Sequence, residues 1–249
     1  MLKLGSLELG ALPRIAVPFT DRASRAEVQA LRRRGLDVAE LRVDRFASAE
    51  PAHALAELDK FTGLPTLATI RSRAEGGGWT GSERARLALF RALAAHVGAV
   101  DVELAAAEIR AEVIGAARSA GALAVVSHHD FAKTPEAGAL DEVVSRALEA
   151  GADVVKIATA VRDAADLRAL ASTAIAHAAS NLIVIGMGEA GLASRLLFAA
   201  LGSLLTYAFA GEATAPGQLP FDEMLALMRR LFPAYDAAKA AELARLASV

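Results

Sequence analysis

The sequence predicts an α/β protein folded as a single parallel (β/α)8 barrel, the TIM barrel. Three observations favour it: short β-type runs alternate with longer helical runs, eight such strands can be counted, and 249 residues suit a barrel. A doubly wound open sheet is the alternative, but it normally carries a glycine-rich phosphate-binding fingerprint, and we find none. The predicted strands are Arg14–Phe19, Val38–Asp44, Pro65–Arg71, Ala99–Leu104, Leu123–Phe131, Asp153–Ala160, Leu182–Gly188 and Leu204–Ala210.

Helical segments fill the intervals between these strands. Apolar residues recur at helical spacing in Ser82–His96 and in Leu140–Ala150, for example. Glycine, the residue preferred at a helix C-cap, stands just ahead of several strands, as a short helix-to-strand loop requires. These glycines are Gly35, Gly98, Gly121 and Gly151.

The two ends of the chain lie outside the eight repeating units. Residues 1–12 contain two apolar stretches, Leu2–Leu4 and Leu7–Leu9, which predict a hairpin that closes the floor of the barrel. The tail, residues 233–249, predicts an additional helix. Because no linker or low-complexity segment interrupts the pattern, we expect residues 1–249 to form one domain.

The composition excludes several classes of function. Hydrophobic residues make up 54% of the chain but aromatic residues only 5%, which argues against the stacking platforms that bind single-stranded nucleic acid. A net charge of −2 creates no field that favours DNA or an anionic membrane. The absence of cysteine excludes disulfides, thiolate catalysis and Cys-ligated zinc. Without a signal peptide or a membrane-length apolar run, we expect a soluble, cytoplasmic protein.

Ionisable residues occupy alternate positions near the C-terminal ends of the predicted strands. Residues two apart share one face, and the outer faces must pack on helices, so these side chains should point into the barrel. Barrel active sites are built at this end, which favours a catalytic site; interior ion pairs that only fill the barrel are the alternative. The inward set is Glu40, Arg42, Asp44, Thr69, Arg71, Asp101, Glu103, Ser127, His129 and Lys156.

Lys156 has the most distinctive chemistry of this set. Burial in an apolar strand and nearby arginines should both lower the pKa of its amine, which would then attack a ketone. The arginines expected nearby are Arg42, Arg71 and Arg195. The alternative is a buried lysine that is merely paired with Glu40 or Glu103.

His129 is expected one strand before Lys156, where a neutral imidazole could remove a proton next to an imine carbon. His128 should point to the other face and pack outside the barrel. At the same rim, the glycine run after Glu75 could let a loop approach a ligand or move, and the segment Thr214–Gln218 could form a lid. An ordinary flexible loop and an ordinary turn are the alternatives. No His and carboxylate set has ligand-like spacing, so we expect no metal site.

Six short segments carry these residues in a fixed order over roughly residues 14 to 230. They are Glu40-Leu-Arg42-Val-Asp44, Arg71-Ser-Arg-Ala-Glu75-Gly-Gly, Ser127-His-His129-Asp-Phe-Ala-Lys-Thr-Pro135, Val155-Lys156-Ile-Ala, Met187 through Gly191 to Ser194-Arg195-Leu, and Thr206-Tyr207 through Ala215-Pro-Gly-Gln218. Together they resemble the type I 3-dehydroquinate dehydratases, Schiff-base enzymes of the shikimate and quinate pathways. The fold of that family is the same barrel.

The resemblance implies dehydration of 3-dehydroquinate to 3-dehydroshikimate. Lys156 matches the imine-forming lysine, His129 the general acid/base and Glu75 a carboxylate that can orient this histidine. The iminium would acidify the C2 proton, and the same histidine would remove that proton and protonate the departing C1 hydroxyl. No cofactor is implied, because the lysine supplies the electron sink. The resemblance also favours a homodimer.

The resemblance assigns the substrate-binding positions as well. Ring hydroxyls would be held by Glu40, Arg42 and Arg71. Arg195 and Gln218 match groups that hold the carboxylate and the tertiary hydroxyl, and Thr214 stands where the family often has serine.

Two positions depart from the family pattern. Pro18 and Gly186 stand where small hydroxyl residues are common, and their loss should affect turnover or substrate preference more than reaction class. Two other functions stay open: another Schiff-base barrel aldolase, and a non-catalytic metabolite-binding barrel. The tail beyond Phe232 is not explained by the resemblance.

Overall fold

The computed structural model describes residues 2–211 and 217–247. Within these residues, eight parallel strands form the barrel, and each is followed by at least one helix. The predicted α/β barrel is therefore confirmed. The barrel strands are β3 (Arg14–Phe19), β4 (Val38–Arg42), β5 (Thr66–Thr69), β6 (Ala99–Glu103), β7 (Leu123–Asp130), β8 (Val154–Ala160), β9 (Leu182–Met187) and β10 (Leu205–Phe209).

The strands are hydrogen-bonded in the order β10-β3-β4-β5-β6-β7-β8-β9. The barrel closes between β9 and β10, where the Leu204 N–H donates to the Leu182 carbonyl at 2.8 Å. Ser203 completes this junction: its Oγ accepts from the Val184 N–H at 3.0 Å and donates to the Leu205 carbonyl at 3.2 Å. A side chain thus supplies part of the hydrogen bonding that a regular ladder would provide.

Helices cover the outside of the barrel. α1 begins at a capping box formed by Ser24 and Glu27 and ends at Gly35, whose φ of 109° suits glycine. Alternate strand residues such as Val17 and Val100 are buried against this layer. The helices are α1 (Arg25–Arg34), α2 (Pro51–Glu57), α3 (Glu83–Ala94), α4 (Arg110–Ala120), α5 (Ala137–Glu149), α6 (Ala164–Ala176), α7 (Ser194–Ala200), α8 (Phe221–Leu231) and α9 (Pro233–Ala247).

The floor of the barrel is closed by the hairpin β1 (Leu2–Leu4) and β2 (Leu7–Leu9), as the sequence predicts. Leu4 and Leu9 are buried in one cluster with the first inward residues of the barrel strands. Gly98 permits the contact, because a Cβ there would lie 2.7 Å from the Gly5 nitrogen. The plug leaves the opposite end of the barrel as the open one.

The tail helix α9 is anchored beneath the barrel by buried charges. Lys239, fully buried on α9, lies 2.7 Å from Asp37, the residue just before β4. Asp37 also accepts hydrogen bonds from the Tyr235 hydroxyl at 2.8 Å and the Ile15 N–H at 2.9 Å, and Arg14 lies 3.2 Å away. One carboxylate therefore joins the tail to the starts of β3 and β4.

The strands are shorter at the rim than the sequence suggests. β4 ends at Arg42 and passes into a 3-10 turn, Val43–Arg45, instead of continuing to Asp44. β5 ends at Thr69, so Arg71 follows the strand. Side chains replace the ladder here: the Gly78 N–H donates to Asp44 at 2.9 Å. A short strand not predicted from the sequence, β11 (Leu219–Pro220), pairs with β10. No described helix is long and apolar enough to cross a membrane.

Candidate active site

A cavity opens at the C-terminal end of the barrel strands, and most of the predicted site residues line it. Strand alternation places their side chains on the inner face, as expected. The lining residues include Glu40, Arg42, Thr69, Arg71, Glu75, His129, Phe131, Lys156, Met187, Arg195, Tyr207 and Gln218. Thr214, the remaining predicted binding residue, lies outside the described residues.

Lys156 lines this cavity and is only 4% exposed. Its Nζ is 3.0 Å from Asp101 and 3.3 Å from Glu40, on strands across the barrel. The same Nζ lies 4.7 Å from the centroid of the Tyr207 ring, which is within cation–π range. Thr69 Oγ1 donates to Glu40 at 2.8 Å and so holds that carboxylate in place.

The expected lowering of the pKa of Lys156 is wrong. Burial does oppose the charged form, but the Asp101 and Glu40 carboxylates outweigh it and raise the pKa above the ordinary value. Arg71 acts in the opposite direction with a smaller effect. Lys156 is therefore an ammonium in the resting site. It is paired with Glu40, as the alternative interpretation of the sequence expected, but both residues line an open cavity.

Asp101 is the centre of the buried charge network. It accepts from Arg71 Nη2 at 2.8 Å and from Ser127 Oγ at 2.6 Å, in addition to its contact with Lys156. Arg71 Nη1 donates in turn to Ser127 Oγ at 2.5 Å. Burial alone would raise the pKa of Asp101, but the two cations outweigh it and hold that pKa well below its usual range.

His129 and Glu75 form a second pair on the cavity wall. Glu75 Oε2 lies 3.0 Å from His129 Nδ1 and accepts the backbone N–H of the same histidine at 3.0 Å. Burial, with Arg71 and Lys156 nearby, places the pKa of His129 well below its ordinary value, so the ring is neutral. Burial raises the pKa of Glu75 to about 7. When Glu75 is ionised, Nδ1–H donates to it and leaves the Nε2 lone pair available.

Arg42 and Arg195 are two further cationic side chains that line the cavity. Arg42 donates to both oxygens of Asp44, at 3.0 and 2.7 Å, so that a bidentate pair fixes its guanidinium. Arg195, in the first turn of α7, is buried, and burial lowers its pKa to about 10. Gln218 is half-buried just before β11 and reaches the same cavity.

Glu103 does not line the cavity, although its position on β6 predicted a side chain that points into the barrel. Its carboxylate accepts the Ser72 N–H at 2.6 Å and pairs with Arg86, a fully buried residue of α3. Arg86 Nε also donates to the Ile70 carbonyl at 2.9 Å. This pair braces the loop that carries Glu75.

The two positions that depart from the family pattern are both buried. Pro18 lies beside Glu40 in the β3–β4 register. Gly186 is packed by Ser194, whose Oγ accepts the Gly186 N–H at 3.0 Å and would lie 2.7 Å from a Cβ there. A side chain at position 186 would displace Ser194, so glycine suits this environment.

Sequence reasoning missed Tyr207 and gave Asp101 no specific role. Both follow the alternation that located the other residues: Tyr207 shares the inner face of β10 with Leu205. Among the described residues, no cluster of three or more His, Cys, Asp or Glu could hold a metal ion. A buried lysine, a neutral imidazole and several fixed cations can together support carbonyl chemistry on an anionic compound.

Comparison with known families agrees with this geometry. Residues 15–233 match the family model of type I 3-dehydroquinase. The 3-dehydroquinate dehydratase of Methanococcoides burtonii is 31% identical over 235 residues, which cover 93% of this chain and 100% of the relative. That of Methanosarcina acetivorans is 36% identical over 209 residues, or 80% of this chain and 86% of the relative.

Solved structures show the same similarity. The 3-dehydroquinate dehydratase of Geobacillus kaustophilus superposes with a TM-score of 0.83 at 29% identity, covering 89% of this chain and 91% of the other. The enzyme of the same name from Aquifex aeolicus gives 0.80 at 31% identity, covering 88% and 99%.

Proposed function

The chain belongs to the type I 3-dehydroquinase family, and we propose that it dehydrates 3-dehydroquinate to 3-dehydroshikimate through an imine on Lys156. The observation that carries the proposal is the contact of Lys156 with two carboxylates inside a cavity that also holds the His129–Glu75 pair. An ammonium that served only to fill the barrel would not need an open cavity or a neutral imidazole beside it.

The first step joins Lys156 to the C3 ketone of the substrate. The ammonium and the ketone combine to give an iminium and one water molecule, so the step has no net uptake or loss of protons. Glu40 and Asp101 then face the positive charge of the iminium, as they face the ammonium in the resting site. The same two carboxylates therefore support both charged forms of the lysine nitrogen.

Elimination follows at C2 and C1. The iminium draws electrons from C2, and the Nε2 lone pair of His129 takes the proton there, which leaves an enamine. The imidazolium returns this proton to the C1 hydroxyl, which departs as water. One oxygen of Glu75 contacts both the ring Nδ1 and the backbone N–H of His129, so that it orients the ring and favours the transient positive charge. Hydrolysis of the product imine restores Lys156.

Binding of the substrate relies on the charged rim. Arg195 and Gln218 would hold the carboxylate and the tertiary hydroxyl, together with Thr214. The ring hydroxyls would be held by Glu40, Arg42 and Arg71. Because Asp44 fixes Arg42 and Asp101 fixes Arg71, both guanidinium groups are oriented before the substrate arrives, which reduces the entropy cost of binding.

The test of this function is the conjugated enone of the product, which absorbs ultraviolet light whereas 3-dehydroquinate does not. The wild type should generate the enone absorbance, and Lys156→Ala should abolish it while still binding the substrate. No absorbance from the wild type would reject dehydration and favour an aldolase or a non-catalytic binding barrel. Normal turnover by Lys156→Ala would reject the covalent route.

The assembly and the location are part of the same proposal. On the family resemblance, we propose a cytoplasmic homodimer that needs no cofactor. Light scattering of the purified full chain should give twice the chain mass of 25.8 kDa. A mass of one chain at micromolar concentration would contradict the dimer and leave the catalytic proposal untouched.

A further inference from the structure

The hydroxyl of Tyr207 is buried and forms no well-aligned hydrogen bond with the residues that the structure describes, although the Lys156 side chain is close enough to interact with it. The residue is 4% exposed and lines the active-site cavity from the inner face of β10. A buried hydroxyl that forms no hydrogen bond costs free energy, because it has lost its bonds to water. A hydroxyl of this kind in the wall of a cavity can form a hydrogen bond with a polar atom of a bound ligand.

The ring of Tyr207 lies next to the reacting nitrogen. Lys156 Nζ faces the Tyr207 ring at 4.7 Å from its centroid, while Asp101 and Glu40 contact the same Nζ at 3.0 and 3.3 Å. Burial, with the Glu40 charge, raises the pKa of the Tyr207 phenol and outweighs the lowering by Lys156, so the phenol stays protonated and can donate. The other groups nearest Nζ are carboxylates, which cannot donate while they are ionised.

We propose that Tyr207 is a further catalytic residue, whose hydroxyl donates a hydrogen bond to the oxygen of the substrate carbonyl while Lys156 adds to it. This inference rests on the proposed imine mechanism. Nζ first passes one proton to the Glu40 carboxylate, which it contacts at 3.3 Å, and its lone pair then attacks the carbonyl carbon while an electron pair of the C=O bond moves to the oxygen. That oxygen takes up the two protons that the ammonium nitrogen gives up, the C–O bond breaks, and water leaves as the C=N bond forms.

The hydroxyl acts on the charge that develops at oxygen and contributes no net proton. A hydrogen-bond donor already in place requires no reorganisation when this charge appears, which is how oxyanion holes lower barriers. By microscopic reversibility, the same contact assists the hydrolysis that releases the product. Elimination at C2 and C1 does not involve this oxygen, so that step should be independent of Tyr207.

The test compares Tyr207→Phe with Thr206→Val. Thr206 lies on the same strand and faces the other side, and its hydroxyl is likewise buried without a partner within the described part of the chain. Each variant removes one such hydroxyl and keeps the shape of the side chain. Rapid mixing with 3-dehydroquinate, followed by borohydride quenching and mass measurement, gives the rate of imine formation at saturating substrate.

Tyr207→Phe should slow imine formation by about 100-fold with little change in the Kd for substrate, since one donor to a developing oxyanion is lost. Its thermal midpoint should equal or exceed that of the wild type, which would exclude a folding defect. The primary deuterium isotope effect at C2 should fall, because imine formation now limits turnover. Thr206→Val should form the imine at the wild-type rate.

Wild-type rates of imine formation in Tyr207→Phe would overturn the inference and leave the proposed function intact. Equal slowing in both variants would also overturn it, because the effect would then come from the strand and not from the cavity. A wild type that turns over substrate without any trapped adduct would reject the imine mechanism itself, and this inference with it.

Discussion

Lys156 illustrates how the charge of one residue depends on atoms that a sequence does not locate. Its apolar strand correctly indicated burial, and burial does favour the neutral amine. The carboxylates of Asp101 and Glu40 come from strands 55 and 116 residues earlier in the chain, and they reverse the sign of the shift. The proton on Nζ must therefore move during the reaction, which makes the neighbouring acid and base groups part of the imine chemistry.

The raised pKa of Glu75 predicts how kcat/KM falls on the acid side of its pH profile, the acid limb. Burial raises its pKa to about 7, so it is protonated below neutral pH and can then no longer accept from His129 as a carboxylate. Because His129 itself stays neutral in this range, kcat/KM should rise as the pH increases through about 7. Arg71 and Arg86 lower the pKa of Glu75 and Asp101 raises it, but burial has the largest effect.

Glu75→Gln should remove this limb and lower kcat by roughly 100-fold, in line with the loss of a group that supports acid–base catalysis. The measurement is kcat/KM from pH 5 to 9 for the wild type and the variant. Glu108→Gln, which changes an exposed carboxylate after the neighbouring strand, is the matched control and should keep the wild-type profile. An unchanged limb in Glu75→Gln would assign it to another group.

The sequence predicted the number and order of the strands and helices well, but the ends of the strands less well. Alternation and helical spacing located all eight barrel strands, and the hairpin plug was placed at the floor. The strand ends at the rim differ because polar side chains there take over backbone partners, as Asp44 does for Gly78 and Glu103 for Ser72. Those contacts join distant segments, so local propensity does not reveal them.

The tail helix α9 leads to a prediction at this scale. Lys239→Met should destabilise the protein by about 3 to 5 kcal/mol, because Asp37 would lose a fully buried cation that it contacts at 2.7 Å. Activity per folded molecule should persist, since Asp37 precedes β4 at the floor, opposite the cavity. Urea unfolding measures the change.

Lys3→Met is the control for this substitution, because Lys3 is an exposed lysine of the hairpin and should change stability by less than about 0.5 kcal/mol. If Lys239→Met were no more destabilising than Lys3→Met, the buried cluster around Asp37 would not anchor the tail. The tail would then be a passive extension of the chain.

At the scale of the whole molecule, the fold explains why the charges can be buried. The parallel strands bring residues that are distant in sequence to one end of the barrel, where Lys156 and Arg71 face the carboxylates of Asp101 and Glu40. The plugged floor confines the opening to that end. Sequence alternation could predict that these residues, Tyr207 included, share the inner face, but which of them contact one another depends on the curvature of the closed sheet.

The central claim is the covalent bond between Lys156 and the substrate, and borohydride reduction during turnover tests it most directly. Peptide mass analysis after reduction in the presence of 3-dehydroquinate should find the reduced adduct on the peptide that contains Lys156. The other lysines, such as the exposed Lys133, should be unmodified. Turnover with no adduct on Lys156, or with the adduct on a different lysine, would contradict the account.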